Sequence, residues 1–339
     1  MDSLTQIVLG AATAEAVVGK KIGNKALLLG AIAGTIPDLD VLASPFLNAV
    51  DELVFHRSFS HSLLFVILGS WLFAYLFWKT FRWKKLVFKD LYLLFSLCFL
   101  THILLDLCTT WGTQLLWPFT SYGYALYNVF VVDPFYTVPF LLLLIALLFF
   151  KKTNPWRNRL NWLGIILSTS YLLTGLFLQK KATDVFKKNL SEQGIKIEKM
   201  ITKPTPFNII LWSCSVKTTD GYYTGFYSFF DENKNVSFDF EPANTSLLKP
   251  FLKNQDIQTL IKVTKGFYTI EPIDGGILMN DLRFGKFNGW QGKEKGEYVF
   301  KYSIKPSSKE HLNIEQISYR KPVNKDYIKA FYNRVLGIK

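Results

Sequence analysis

The residues with the most chemical content in this 339-residue chain are three of its four histidines, because each stands close to an aspartate or to another histidine. His102 and Asp106 lie four apart inside the apolar stretch Leu91–Leu107. On a helix that spacing puts both side chains on one face, one turn apart, where they suit two ligands of one metal ion or one ligand for each of two neighbouring ions. An ionisable pair inside an apolar helix is costly unless it is partnered. His56 and His61 are five apart in His56-Arg57-Ser58-Phe59-Ser60-His61. A helix would splay them, whereas a loop ending at a Ser60 N-cap turns both inward. Asp38 and Asp40 alternate in an extended stretch after Pro37, and Asp133 precedes Pro134. Each group alone has a plain structural reading: a His–Asp hydrogen bond between helices, histidines at an interface, a helix stop and cap at Asp38, a cap at Asp133. Together they supply imidazole and carboxylate, the donors of hydrolytic zinc sites. The metal ligands expected are Asp38, His56, His61, His102 and Asp106, around one or two divalent ions, zinc first among them. Asp40 or Asp133 is expected as a further ligand or general base, and Arg57 as a phosphate contact.

The elements that must position these residues are membrane helices. A span needs about 20 apolar residues. Ser62–Trp78, Leu91–Leu107, Phe135–Phe150 and Leu160–Leu178 meet that need best. Leu4–Val18, which carries Glu15, and the short Ala26–Ile36 are read as a tight hairpin, spanning or re-entrant. Gly10-x-x-x-Ala14 and Gly30-x-x-x-Gly34 allow these two helices to approach closely. Glu15 is read as structural, paired with a lysine such as Lys20. The opening residues lack a basic n-region and do not read as a secretory signal.

The formal charge of +13 arises from 39 Lys and Arg against 26 Asp and Glu. In the first half the cations cluster at Lys20, Lys21 and Lys25, at 79–89, and at Lys151, Lys152, Arg157 and Arg159. With six spans all three clusters fall on one side, which the positive-inside rule makes cytoplasmic. The histidine and aspartate groups then share the opposite, outer face, and the C-terminal part is extracytoplasmic. Lys180, Lys181, Lys187 and Lys188 oppose that exit only mildly, because long terminal domains obey the rule poorly. The charge thus marks helix flanks, and nothing reads as a nucleic-acid-binding motif. The three cysteines fit no disulfide scaffold or C-x-x-C pattern.

Met1-Asp2-Ser3-Leu4-Thr5-Gln6, Gly34-Thr35-Ile36-Pro37-Asp38-Leu39-Asp40, His56 to Ser62, and His102-x-x-x-Asp106 through Gly112-Thr113-Gln114-Leu115-Leu116-Trp117-Pro118-Phe119 resemble the bacterial membrane-bound metal-dependent hydrolase family, also described as LexA-binding, inner membrane-associated hydrolases. The resemblance covers Met1–Leu178. It implies a helical membrane domain and an activity distantly similar to zinc-dependent phospholipase C, whose H-x-x-x-D pattern matches His102 and Asp106. That pattern has more histidines than this chain, so one or two metals are implied rather than three. The LexA connection implies no DNA binding.

After Gln179 the pattern changes to strands rich in aromatic and β-branched residues: Asn208–Lys217, Gly221–Phe230, Val236–Phe240, Phe267–Ile270, Gly276–Phe284 and Tyr298–Ile304. Thr219-Asp220-Gly221 and Asp274-Gly275-Gly276 read as turns. Asn244–Leu252, Asp256–Val263 and Lys325–Leu336 read as helices. The expected architecture is an α-helical membrane bundle of about six membrane-embedded helices (residues 1–180), followed by an extramembrane α+β domain with an antiparallel sheet (residues 181–339). Cys214 reads as core, His311 as solvated, and Trp290 as lining a groove or closing a hairpin.

The function expected is metal-dependent hydrolysis of a phosphoester, a phospholipid or lipid-linked substrate, at the outer face of the bacterial cytoplasmic membrane. Membrane lipids are the expected partners. Two rivals stand beside it: a non-enzymatic scaffold or regulator with a structural metal, and a metal or proton transporter, which would need ionisable residues along a path at mid-membrane depth.

Overall fold

The structure is a computed structural model that describes residues 1–81, 85–292, 296–307, 312–319 and 324–338. His311 lies outside the described residues, as do Arg82 and Lys84 of the second basic cluster. The chain divides into two compact units. One comprises Met1–Phe46, Phe55–Leu176 and Pro206–Asn208; the other comprises Leu47–Val54, Phe177–Thr205 and Ile209–Lys339.

The first unit is built around helix α1 (Ser3–Ile22), capped by Asp2, whose carboxylate accepts the Thr5 N–H. Helix α2 (Asn24–Thr35) folds back against it. A Cβ added at Gly30 would sit 2.2 Å from the Gly10 carbonyl oxygen and 2.5 Å from Ala14 Cβ, so the two backbones touch through the expected small-residue positions. Pro37 ends α2 for a definite reason. It has no N–H to give the Ala33 carbonyl, which instead accepts the N–H of Ile36. The chain tightens into a 3-10 segment, Ile36–Phe46, where an extended stretch was expected. Past a short helix α3 (Ala49–Phe55), which belongs to the second unit except for Phe55, the first unit continues with α4 (Leu63–Phe81), α5 (Phe88–Leu107), α6 (Pro134–Leu148) and the first part of α7 (Pro155–Glu192). Phe65, Phe95 and Phe99 pack with Ala14, Val18 and Leu29 on one side of α1. Tyr136, Phe140 and Leu144 pack with Val8 and Ala12 on the other.

Among the described residues, four stretches are long and apolar enough to cross a membrane: Asn24–Phe46, Leu63–Phe81, Phe88–Leu107 and Pro155–Glu192. The expected number was about six. Two differences account for it. α6, the most apolar run, has only 15 residues, bounded by its Asp133 cap and its C-cap at Phe149. α1 is largely buried inside the bundle and carries Gln6, Thr13 and Glu15 on buried positions. Glu15 does not pair with Lys20. It forms a two-pronged ion pair with Arg157, at 2.7 and 2.6 Å. Asn24 also accepts from Arg157, at 2.5 Å.

α7 has 38 residues, about 57 Å of helix. Its residues through Leu176 belong to the first unit and those from Phe177 to the second, and the helix does not break at residue 180.

The second unit has two antiparallel four-stranded meanders where one sheet was expected. The first runs β1 (Lys199–Pro204), β2 (Leu211–Lys217), β3 (Gly221–Ser228), β4 (Phe238–Pro242). The second runs β5 (Tyr268–Ile273), β6 (Gly276–Asp281), β7 (Phe300–Pro306), β8 (Leu312–Ser318). A 3-10 turn at Thr245–Phe251, rather than a full helix, and α8 (Gln255–Val263) connect them. Gly275 takes the left-handed conformation, φ +71°, that its turn between β5 and β6 requires. α9 (Lys325–Val335) joins Phe331 and Val335 to Leu211 of β2, with the part-buried Trp290 against Tyr327 and Phe331. Cys214 is fully buried, as expected.

Candidate metal centre

The expected donors come from four places in the first unit: the 3-10 segment after α2, the loop before α4, the last turns of α5, and the start of α6. The structure brings four of them together. Asp38, His61, His102 and Asp106 form the one group of histidine, cysteine or acidic side chains among the described residues whose donor atoms converge as for a metal ion. His61 Nε2 lies 3.3 Å from Asp38 Oδ1 and 3.2 Å from Asp106 Oδ2. His102 Nε2 lies 3.4 Å from Asp38 Oδ1, 3.7 Å from Asp106 Oδ2 and 3.3 Å from His61 Nε2.

Those distances have a simple meaning. Ligands at 2.0–2.2 Å from a tetrahedral ion stand about 3.3–3.6 Å from one another. The five separations therefore describe edges of a tetrahedron of the size a small divalent ion requires. The donor chemistry agrees, with two imidazole nitrogens and two carboxylate oxygens. Asp106 Oδ2 is buried and accepts no well-aligned hydrogen bond, although the Arg57 guanidinium stands beside it, so its lone pairs stay available on the side of the two imidazoles. The residues fit a metal.

The surrounding groups fix how the donors point. His102 Nδ1 donates to the Gly34 carbonyl at 2.7 Å, which leaves Nε2 bare towards the group. The close contact of Gly10 and Gly34 thus bears on the site, because it sets where that carbonyl lies. His61 Nδ1 faces Ser60 Oγ at 2.9 Å, and that hydroxyl donates to Asp40 Oδ2 at 3.3 Å. The serine oxygen therefore accepts from Nδ1–H, and His61 Nε2 is bare as well. Asp106 Oδ1 accepts from Gln6 Nε2 at 3.0 Å and from the Met1 amine. Arg57 Nε stands 3.1 Å from Asp106 Oδ2, and its Nη1 donates to Thr109 Oγ1 at 3.0 Å. Arg57 takes a left-handed backbone, φ +62°. Its N–H reaches Asp40 Oδ2 at 2.9 Å while its carbonyl accepts from Gln114 N. A non-glycine residue in that conformation is strained and is held by such flanking bonds.

The remaining expected site residues lie elsewhere. His56 is outside the group of four; its Nδ1 meets Asp40 Oδ1 at 3.1 Å and its ring edges onto Trp111. Asp40 contributes no donor to the group and sits behind His61. Asp133 caps α6 through the Phe135 N–H and accepts from the Tyr171 hydroxyl at 2.8 Å. Ser62, not Ser60, caps α4, its Oγ accepting the Phe65 N–H. Thr109 bonds the Asp106 carbonyl and Arg57 rather than a donor carboxylate. Sequence reasoning gave Gln6 no role at the site. The available signal was an amide in an apolar helix, which needs a partner.

A helical unit with several membrane-length apolar helices and one buried histidine–aspartate group defines a membrane protein with a possible metal site. The family profile described as YdjM inner membrane protein matches residues 1–182, more than half of the chain. The chain belongs to that family. It is 29% identical over 236 residues to the uncharacterized protein YfhP of Bacillus subtilis (strain 168), covering 66% of this chain and 68% of the relative. It is 33% identical over 128 residues to the inner membrane protein YbcI of Escherichia coli (strain K12), covering 36% of this chain and 72% of the relative. No solved structure is significantly similar.

Proposed function

We propose that the chain is a zinc-dependent hydrolase of the bacterial inner membrane acting on a phosphoester with a lipid tail. The observation that carries this reading is the converging set of His61, His102, Asp38 and Asp106 with the buried Arg57 guanidinium against it. An all histidine and aspartate donor set belongs with catalytic zinc sites, whereas structural sites are rich in cysteine. A divalent ion bound there supplies a water acidified towards neutral pH and a Lewis acid for a phosphoryl oxygen. Arg57 is placed to hold an anionic oxygen beside Asp106. Asp40 acts through His61, keeping its Nε2 bare. Leu39, Val41, Leu42 and Phe46 on the 3-10 segment and Leu116 and Phe119 on the loop after α5 are exposed apolar residues near the site in sequence, and they suit a substrate held in lipid.

In this reading residues 1–180 form the membrane domain, residues 181–339 an extracytoplasmic domain, and the site opens to the outer face. A cysteine at Ser121 should then label with an impermeant reagent from outside; labelling from the cytoplasm alone reverses the orientation.

A second reading has one observation of its own. Four protein donors already complete a tetrahedron, as in a structural site. Metal analysis of the purified chain beside His102→Ala and Asp106→Ala, with a panel of phospholipids and phosphoesters, separates the readings. Metal-dependent turnover lost in both variants supports the hydrolase. Metal retained with no turnover supports a scaffold. Full occupancy in both variants removes the site.

A further inference from the structure

The four donors are not held alike. His61, His102 and Asp106 have side chains at most 1% exposed, and each is fixed from behind: His61 by Ser60, His102 by the Gly34 carbonyl, Asp106 by Gln6 and Arg57. Asp38 is 21% exposed. Among the described residues its carboxylate pairs with His61 and His102 and with nothing that would hold it in place from outside. It also sits on a different kind of backbone. The segment Ile36–Phe46 is an 11-residue 3-10 stretch, far longer than the three or four residues for which that geometry is comfortable. Its Leu39, Val41, Leu42 and Phe46 are exposed rather than packed. Three donors therefore belong to a rigid frame and the fourth to a loosely held strand of chain.

We propose that Asp38 is an exchangeable donor. It closes the tetrahedron at rest and gives up its position to an oxygen of water or of a phosphoester, leaving two imidazoles and one carboxylate as the permanent frame. This resolves the tension between four protein donors and the open position that catalysis needs. Asp38 is the donor on the accessible side, so the vacated position faces the direction from which a ligand arrives. Arg57, at Asp106 Oδ2, borders the same group and favours an anionic oxygen there. The inference rests on the metal-site reading proposed above.

Cobalt(II) binding to the full-length purified chain tests it, because the ion's visible absorption reports coordination without any turnover. Asp38→Ala, with Asp38→Asn as the shape-conserving control, should still bind cobalt, with a loss no larger than the roughly 10–100-fold of an outer-shell change, while His102→Ala should lose binding altogether. Inorganic phosphate should alter the wild-type spectrum, and should do so at lower concentration in the Asp38 variants, where no carboxylate competes. If both Asp38 variants lose cobalt as completely as His102→Ala, Asp38 is a permanent ligand and the proposal is overturned. It is overturned equally if phosphate leaves the wild-type and variant spectra unchanged. Failure of the wild-type chain to bind cobalt or zinc would remove the metal site itself, a distinct result.

Discussion

Asp40 stands behind His61, its Oδ2 3.5 Å from the ring's Nδ1 and bridged to it by the Ser60 hydroxyl, while Asp38 meets the same ring at Nε2. Two carboxylates two residues apart thus address opposite nitrogens of one imidazole. Asp40 therefore sets the tautomer and direction of His61 rather than touching a metal. Asp40→Asn should weaken zinc binding about 10–100-fold without abolishing it, read by competition against a chromophoric chelator. His56→Ala should leave zinc affinity within a few-fold of wild type, because that ring bonds only the far side of Asp40 in the site. An Asp40→Asn chain with unchanged affinity would show that His61 is oriented by packing alone.

The contact of α1 with α2 should be felt at the site. At Gly30 an added methyl meets backbone on the facing helix, at the Gly10 oxygen, and a backbone cannot swing away as a side chain can. Gly30→Ala must push α2 off α1. The Gly34 carbonyl moves with α2, so His102 loses the partner of its Nδ1. The expected outcome is a lower melting temperature in detergent together with weaker zinc binding. A stability loss with wild-type zinc affinity would uncouple the crossing from the site.

The buried pair of Glu15 and Arg157 joins helices 142 residues apart in sequence. Breaking such a pair from one side leaves a charge buried alone, at a cost of about 3–5 kcal/mol. Glu15→Gln should therefore destabilise the chain strongly, and Glu15→Leu combined with Arg157→Met should recover much of that loss. Thermal unfolding of the two variants in the same detergent decides it, and a double variant no better than the single one would mean that Arg157's contacts to Asn24 and the Phe150 carbonyl matter more.

The donor types were legible in the sequence because histidine and aspartate are conspicuous in apolar stretches, and so was the α1–α2 crossing, because small residues four apart have one common use in lipid. The membership of the donor set was less legible. Asp38 and Asp40 read as extended alternation, but Pro37 tightens the chain into a 3-10 turn that sends one carboxylate to each side of His61. His56 and His61 looked equivalent until the Arg57 backbone, at φ +62°, turned one into the group and left the other outside it. The partner of Glu15 depended on a contact that no local pattern encodes. In the second unit β1 escaped notice because Lys199, Lys203 and Pro204 do not read as a strand, yet it pairs with β2 along its full length; β8 escaped it likewise, because Asn313, Glu315 and Gln316 break up its apolar residues.

Lys203 gives a pH dependence that lies wholly outside the membrane helices. Its ammonium is buried on β1 and donates to the Arg283 carbonyl, with Asp281 and Arg283 nearby. Burial pulls its pKa down from 10.5 to about 7; the Arg283 charge adds to that and the Asp281 charge opposes it. Between those two values the unfolded chain binds the proton and the folded chain does not. Stability should therefore rise with pH across that window and lose the gain as pH falls back towards 7. At 1.36 kcal/mol per unit, and with the folded group half protonated at pH 7, the lysine contributes about 2 kcal/mol to the rise from pH 7 to pH 9. Lys203→Met removes the titrating group and keeps the chain length. Its unfolding free energy should exceed that of the wild type at pH 7 and should show a slope smaller by that amount, measured by chemical denaturation at the two pH values. Equal slopes in the two proteins would mean that Lys203 stays charged in the folded chain.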